Sequence, residues 1–186
     1  MKHPLSNFPQ TIKTKRLELR VAAPTVENAT QIFNAVEQNR EYLESWQGHF
    51  GAIKNTADMV AYLAKRTNQI KTNEGVCFYI FRGDNIIGRI RFFDVKDNTC
   101  EIGYWLIESA NGHGFMTEAL SALETELFNF GFDKIILDVD AGNTRSENVA
   151  KRNGYKLEKR LPMASWAKCV GKCDSLIYAK CKKHPH

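Results

Sequence analysis

Apolar and polar positions along the chain switch repeatedly between the period of a strand and that of a helix. From Thr14 to Ala22, Leu17, Leu19 and Val21 alternate with Arg16, Glu18 and Arg20, which predicts a half-buried first strand. Pro24-Thr25 then opens a helix with Ala29, Ile32, Phe33 and Val36 on one face. After a polar and aromatic stretch from Arg40 to Ala52, a second helix carries Met59, Val60, Leu63, Thr67 and Ile70 on its inner stripe. The period returns to two over Val76 to Arg82, Ile86 to Asp94 and Thr99 to Ile107, and the joints Gly83-Asp84-Asn85 and Lys96-Asp97-Asn98 are short enough to imply an antiparallel meander. Met116, Leu120, Leu123, Leu127 and Phe130 then mark a long helix that stops at Gly131. Lys134 to Asp140 is an apolar fifth strand. Thr144-Arg145-Ser146-Glu147 has the form of a capping box and starts a short helix ending at Asn153-Gly154. Tyr155 to Lys159 and Ser175 to Lys180 are predicted to close the sheet around a variable loop. The fold class expected is α/β of the α+β kind, a single domain over residues 1–186 with a core from about 15 to 180.

Composition narrows the class. At 186 residues, 43% hydrophobic and 25% charged, the chain can bury an ordinary core, which excludes a disordered segment or a coiled-coil rod. No apolar run approaches the ~20 residues that span a bilayer, and Met1 to Asn7 leads into no signal-peptide core, so a cytoplasmic protein without a membrane partner is expected. Cys77, Cys100, Cys169, Cys173 and Cys181 are odd in number and scattered, unlike a disulfide framework. Cys169 and Cys173 lack the spacing of a zinc knuckle, and no metal is expected. The net charge of +5 permits an anionic ligand without requiring nucleic acid. The one dense basic stretch is the tail from Lys180 to His184, read as a solvated end.

Two constellations carry candidate chemistry. Between the fourth strand and the long helix, Gly112 and Gly114 let a backbone approach a ligand closely, and the helix start beyond them offers unpaired amides and a positive dipole end to a phosphate. There is no Gly-Lys-Ser/Thr of a P-loop, and glycines before a helix also serve as a plain tight turn. His113 reads as an exposed loop histidine. At the tip of the fifth strand, Asn143 and Ser146 lie three apart, a spacing that caps a helix and also aims an amide and a hydroxyl into a cleft at the strand's end.

Taken together, these segments form a known pattern. Asn111-Gly112-His113-Gly114-Phe115-Met116-Thr117-Glu118-Ala119 resembles the coenzyme pyrophosphate loop of the GCN5-related N-acetyltransferases (GNAT). The Glu101-Ile102-Gly103-Tyr104-Trp105-Leu106 strand before it, and Asn143, Ser146, Val149, Ala150, Arg152, Asn153, Gly154 and Tyr155 after it, are similar to the RimJ and RimL branch that acetylates ribosomal-protein N-termini. The resemblance spans about Lys15 to Lys180. It implies a mostly antiparallel mixed sheet of about seven strands, splayed between the fourth and fifth, with acetyl-coenzyme A as cosubstrate. It further implies that Trp105, Leu106 and Ile107 border the pantetheine arm, that the loop from Asn111 to Thr117 holds the pyrophosphate, and that Asn143 and Asn148 contact the coenzyme. Ser146 is implied as the hydroxyl that protonates the leaving thiolate. Two departures stand out: Asn111 replaces Gln or Arg, and Ala150 stands where many relatives carry a tyrosine acid.

The acceptor follows from amine chemistry. At pH 7 roughly a tenth of an α-amine is neutral, against a few parts in ten thousand of a lysine, so an α-amine needs only a modest base. Glu101 is the first candidate, sharing a strand face with Gly103 and Trp105; Asp138 is the rival, with Asp140 and Asp174 behind it. Trp46, His49, Phe50 and Tyr104 are the candidate acceptor contacts, opposite a wall formed by Leu161 to Asp174. The expected activity is transfer of acetyl to a primary amine by direct attack in a ternary complex, with a protein N-terminal α-amine as acceptor and a monomer or homodimer as the working unit. A small-amine transferase acting on a polyamine or an aminoglycoside-like compound, and a noncatalytic coenzyme-binding or ribosome-associated module, are the alternatives.

Overall fold

The computed structural model describes residues 3–46 and 50–183, with only the backbone of Phe50. Its sheet has eight strands in the order β1-β2-β3-β4-β5-β6-β8-β7. The strand expected over Thr14 to Ala22 is the shorter β2 (Glu18–Val21), and a strand not expected from the sequence, β1 (Thr11–Lys13), precedes it and pairs with it antiparallel. Thr14 lies in the turn between them, its hydroxyl accepting from the Leu17 amide at 2.9 Å. This added strand raises the expected seven to eight.

α1 (Val26–Glu37) starts where predicted, with the Thr25 side chain accepting from the Asn28 amide, and it buries Ala29, Ile32 and Val36. The short α2 (Arg40–Glu44) and then α3 (Thr56–Lys71) follow. The meander is β3 (Gly75–Arg82), β4 (Asn85–Lys96) and β5 (Thr99–Leu106). Asp97 and Asn98 at its second turn both have positive φ, 49° and 59°, the backbone that a two-residue hairpin needs and that Asp and Asn tolerate. α4 (Phe115–Phe130) leads to β6 (Lys134–Asp140), the one strand that runs parallel to its neighbour β5. α5 (Thr144–Arg152) then precedes the hairpin β7 (Lys156–Ala167) and β8 (Gly171–Cys181).

The residues read as a variable loop between two short closing strands instead continue that hairpin, with Ser165, Trp166 and Ala167 paired to Cys173, Lys172 and Gly171. Pro162 and a register shift between Leu161 and Ser165 interrupt the pattern and hide the strand from a periodicity reading. β7 is an almost fully exposed edge, with Trp166 64% exposed.

Two apolar clusters sandwich the sheet. α4 packs Leu120, Leu123 and Leu127 on Ile90, Phe92, Ile102 and Leu137 on one face. α1 and α3 pack Ile32, Met59 and Leu63 on Tyr79 and Trp105 on the other. Each face of β5 therefore belongs to a different core, and the site described below lies at that strand.

Candidate active site

The three register pairs between β5 and β6 join Thr99, Cys100 and Glu101 to Lys134, Ile135 and Ile136. Beyond Glu101 the two strands diverge, leaving main-chain groups of β5 without a strand partner on that side. A cavity of about 260 Å³ occupies the opening. It is lined by Ile102 to Leu106, by Leu137 to Asp140, by Tyr42 and Trp46 from the α2 segment, and by Asn143, Arg145 and Ser146 at the start of α5. Because successive residues of β5 point to opposite sides, the cavity passes through the sheet and has two mouths.

The first mouth opens toward the loop before α4. Gly112 and Gly114 have φ of 81° and 75°; a Cβ on Gly112 would meet nothing within 4 Å, and one on Gly114 only the Arg16 guanidinium at 3.7 Å. The backbone thus requires glycine while the space above it stays open. No side chain caps α4, so its first amides point outward unclaimed by a side chain. The Thr117 hydroxyl is buried without a hydrogen-bond partner among the described residues. Open amides, a partnerless hydroxyl and the positive end of a four-turn helix fit the pyrophosphate of a coenzyme.

The loop is braced by residues that its own sequence does not announce. The Arg16 guanidinium donates to the His113 carbonyl at 2.9 Å, pairs with Glu118 at 2.6 Å and lies 4.7 Å from the Phe115 ring. Arg82 also approaches that ring, at 5.2 Å from its centroid. His113 itself is exposed, Phe115 and Met116 are buried, and Met116 reaches the cavity wall. The Asn111 amide does not face the loop's open side: it donates to the Ile107 and Glu108 carbonyls at 3.0 and 2.9 Å and to the Tyr42 hydroxyl at 3.1 Å. Tyr42 also accepts from Arg145 at 3.0 Å, joining α2, the loop and α5 at one oxygen. Only the length of the Arg40–Ala52 aromatic stretch hinted at such a residue.

At α5 the cap is Asn143, whose side chain accepts from the Ser146 amide at 3.2 Å; this corrects the box read at Thr144 to Glu147 by one residue. The Ser146 hydroxyl lies 2.9 Å from the Tyr104 hydroxyl. Burial pushes the Tyr104 phenol up to about 12, against the opposing pull of the Ser146 bond, so it stays protonated at neutral pH. Tyr104, expected among the acceptor contacts, thus has its hydroxyl on Ser146, at the α5 side of the cavity. Ala150 is fully buried and is not among the residues that line the cavity. Asn148 is exposed and does not line the cavity.

The second mouth lies on the α3 face. Glu101 and Gly103 follow one another there, with Gly103 opposite Arg91 of β4. Burial raises the Glu101 carboxyl to about 7, Asp138 and Asp94 add to the rise, and Arg91 opposes it. No hydrogen bond or ion pair among the described residues engages that carboxylate. Its rivals are committed elsewhere: Asp138 accepts from Ser175 at 2.5 Å, and Asp140 holds the Ser165 hydroxyl. Asp174 takes the Met163 amide and the Arg160 guanidinium, which together hold it below the usual carboxylate range. Trp46 reaches the cavity wall, the Phe50 backbone forms a short 3-10 turn with Gly51 and Ala52, and His49 lies outside the described residues.

Comparison with known proteins agrees with this geometry. Residues 16–156 match the family described as an acetyltransferase (GNAT) domain. A ribosomal-protein-serine acetyltransferase of Escherichia coli is 38% identical over 92 residues, a match spanning 48% of this chain and 51% of that protein. RimL, a ribosomal alpha-N-protein acetyltransferase in complex with coenzyme A, superposes with a TM-score of 0.85 at 23% identity over 92% of this chain and 97% of that one. The microcin self-immunity acetyltransferase MccE, in complex with acetyl-CoA and AMP, gives 0.84 at 24% identity over 94% and 97%. Mycobacterium smegmatis RimJ gives 0.81 at 19% identity over 93% and 88%. These structures share the fold, and with three quarters of its length inside the family's boundaries the chain belongs to the GNAT acetyltransferases.

Proposed function

We propose that the protein transfers acetyl from acetyl-coenzyme A to the α-amine of a protein N-terminus, a ribosomal protein being the acceptor class that the partial match to the serine acetyltransferase supports. The observation that carries this reading is a pair of groups of opposite use on one strand, β5, one lining the cavity and one directly beside its wall. On the α3 side is an unengaged carboxyl with its pKa near 7; on the α5 side is a hydroxyl pair held protonated.

The amides at the start of α4, with Thr117, hold the pyrophosphate, and the open edge of β5 receives the pantetheine amides. Acetyl-coenzyme A, when bound, supplies the activated thioester. Glu101 takes the proton that converts the acceptor's ammonium to an amine. With an α-amine near 8, that transfer is uphill by about one pKa unit, whereas a lysine near 10.4 demands more than three. As the carbon–nitrogen bond forms and the carbon–sulfur bond breaks, the nitrogen loses a second proton and the thiolate gains one from the Ser146–Tyr104 pair. One proton is released per turnover. Arg91, which acts on Glu101 and is itself beside Arg66 and Arg89, disfavours a polycationic amine there, so the α-amine reading is preferred to the polyamine one. A cytoplasmic location accords with a ribosomal-protein acceptor.

Thiol release from acetyl-coenzyme A tests the proposal, with peptides beginning Ser, Ala or Met offered beside spermidine and free lysine. Turnover on a peptide is expected. Turnover on spermidine alone would replace the acceptor, and coenzyme binding without turnover on any amine would leave a noncatalytic module.

A further inference from the structure

Next to Glu101, the α3 face of the sheet holds a cluster of arginines, two of which, Arg66 and Arg91, have no ion pair among the described residues. Arg89 is 3% exposed and donates to the Tyr62 hydroxyl at 2.5 Å. Arg91 lies 4.0 Å over the Phe93 ring, and Arg66 of α3 lies 4.4 Å over the Tyr62 ring while donating to Gln69 at 2.7 Å. The guanidiniums are close enough that Arg91 is pushed below its ordinary value, first by burial and then by Arg89 and Arg66. The Nε atoms of both Arg66 and Arg91 are buried with no hydrogen-bond partner among the described residues. No ion pair among the described residues reaches either side chain.

Beside Arg91, burial raises both Cys77 and Tyr79, so neither supplies an anion at pH 7. Asp138 and Asp94 push Glu101 up more than Arg91 pulls it down, and no ion pair among the described residues joins Glu101 to either arginine. Partly buried guanidiniums without an anion carry an unrepaid desolvation cost, and Arg in a fixed fork is the side chain suited to a carboxylate. Arg91 stands opposite Gly103, which lines the cavity, and the Phe93 ring over which Arg91 lies is what a Cβ on Gly103 would meet, at 3.4 Å, so an acceptor would reach Arg91 along the edge of that ring. Adjacent strands lie about 5 Å apart, which places Arg91 within the reach of one or two extended residues from an amine at Glu101.

We infer that Arg66 and Arg91 form an acceptor subsite for a carboxylate, so that the preferred acceptor is an N-terminal peptide with Asp or Glu at its second or third residue. This rests on the acetyl-transfer reading and adds what the acceptor must carry beyond its amine. Asp-bearing and Glu-bearing peptides share this chemistry, and the position of the acid along the chain tells which residue the subsite reads.

The test uses the full chain and hexapeptides starting Ser-Asp-Ala, Ser-Ala-Asp, Ser-Ala-Ala and Ser-Ala-Lys, otherwise identical. Wild-type kcat/KM is expected to favour one acidic peptide over the Ser-Ala-Ala peptide by about tenfold, chiefly through KM, the range set by a charge-assisted hydrogen bond. In Arg91→Met and in Arg66→Gln that ratio is expected to fall to about one, with coenzyme affinity by calorimetry reporting that each variant is folded. Equal kcat/KM for acidic and neutral peptides, or a preference for the lysine peptide, overturns the subsite and leaves acetyl transfer standing. Des-amino versions of the same peptides cannot react, and their binding to the coenzyme-loaded protein separates the two readings. If no peptide turns over but the acidic des-amino peptide still binds about tenfold tighter in wild type than in Arg91→Met, transfer fails and the subsite holds. Equal binding overturns the subsite as well.

Discussion

The two mouths of the cavity are built from different materials. The mouth we assign to the coenzyme is made of main chain: two glycines at positive φ, the first amides of α4 and the unpaired edge of β5, all drawn from residues 101 to 117. The mouth we propose for the acceptor is made of side chains: Asp138 from β6 and Trp46 in the cavity wall, with Glu101 from β5, Arg91 from β4 and Arg66 from α3 beside it. Backbone donors read a phosphate alike whatever the surrounding sequence, while charged side chains can be exchanged singly. One half of the molecule can therefore keep its coenzyme while the other changes its acceptor.

Substitutions on either side should separate binding from chemistry. The largest effect is expected for Glu101→Gln, a loss of 10²- to 10⁴-fold in kcat with little change in coenzyme affinity. In the wild type, kcat/KM should rise with pH to a plateau above about 7, as Glu101 loses its proton, and this limb should vanish in the variant. Stability runs the opposite way. A carboxyl raised from 4.5 to about 7 in the folded state adds stability below pH 4.5 and loses it as pH climbs through 7. Glu101→Gln should therefore match the wild type's melting temperature at pH 4.5 and exceed it at pH 8, by an amount equivalent to about 1–3 kcal/mol. A melting temperature lowered at both values would mean that Glu101 is a structural group.

Gly112→Val comes next, with a rise on the order of 100-fold in the coenzyme dissociation constant by calorimetry. Its Cβ meets no protein atom, so the fold bears only the strain of a branched residue at positive φ, about 1–2 kcal/mol. Unchanged affinity would remove the loop from the coenzyme site. Ser146→Ala should lower kcat by roughly tenfold and leave coenzyme affinity alone, because the Tyr104 hydroxyl 2.9 Å away remains to donate. Tyr104→Phe should behave similarly, and the double variant, with neither hydroxyl left to donate, should lose more than the product of the two. The smallest effect is expected for Tyr42→Phe, about threefold in coenzyme KM, from releasing Asn111 and Arg145 from their shared oxygen.

The coenzyme half was legible in the sequence because its parts are close along the chain. Gly112, Gly114 and the apolar stripe from Met116 to Phe130 state turn and helix together, and Asn143 and Ser146 lie one helical turn apart. Arg16 was not legible as a brace, since it acts 97 residues away on His113, and alternation assigned it only to a strand's outer face. The acceptor half was legible at Glu101, whose neighbour Gly103 left space, and not at Arg66 or Arg91, which no local pattern singles out. Likewise, nothing local announced that Tyr104 would meet Ser146 or that Leu161 to Asp174 would extend a hairpin.

The sequence by itself determined the periods, caps and turns, and with them the strands, the helices and the phosphate-reading loop, because these depend on contacts within a few residues. Tertiary structure decided which carboxylate is unengaged, which hydroxyls pair and which arginines lie without an anion. Those properties come from burial and from the field of neighbours on other strands, and neither exists until the sheet has formed.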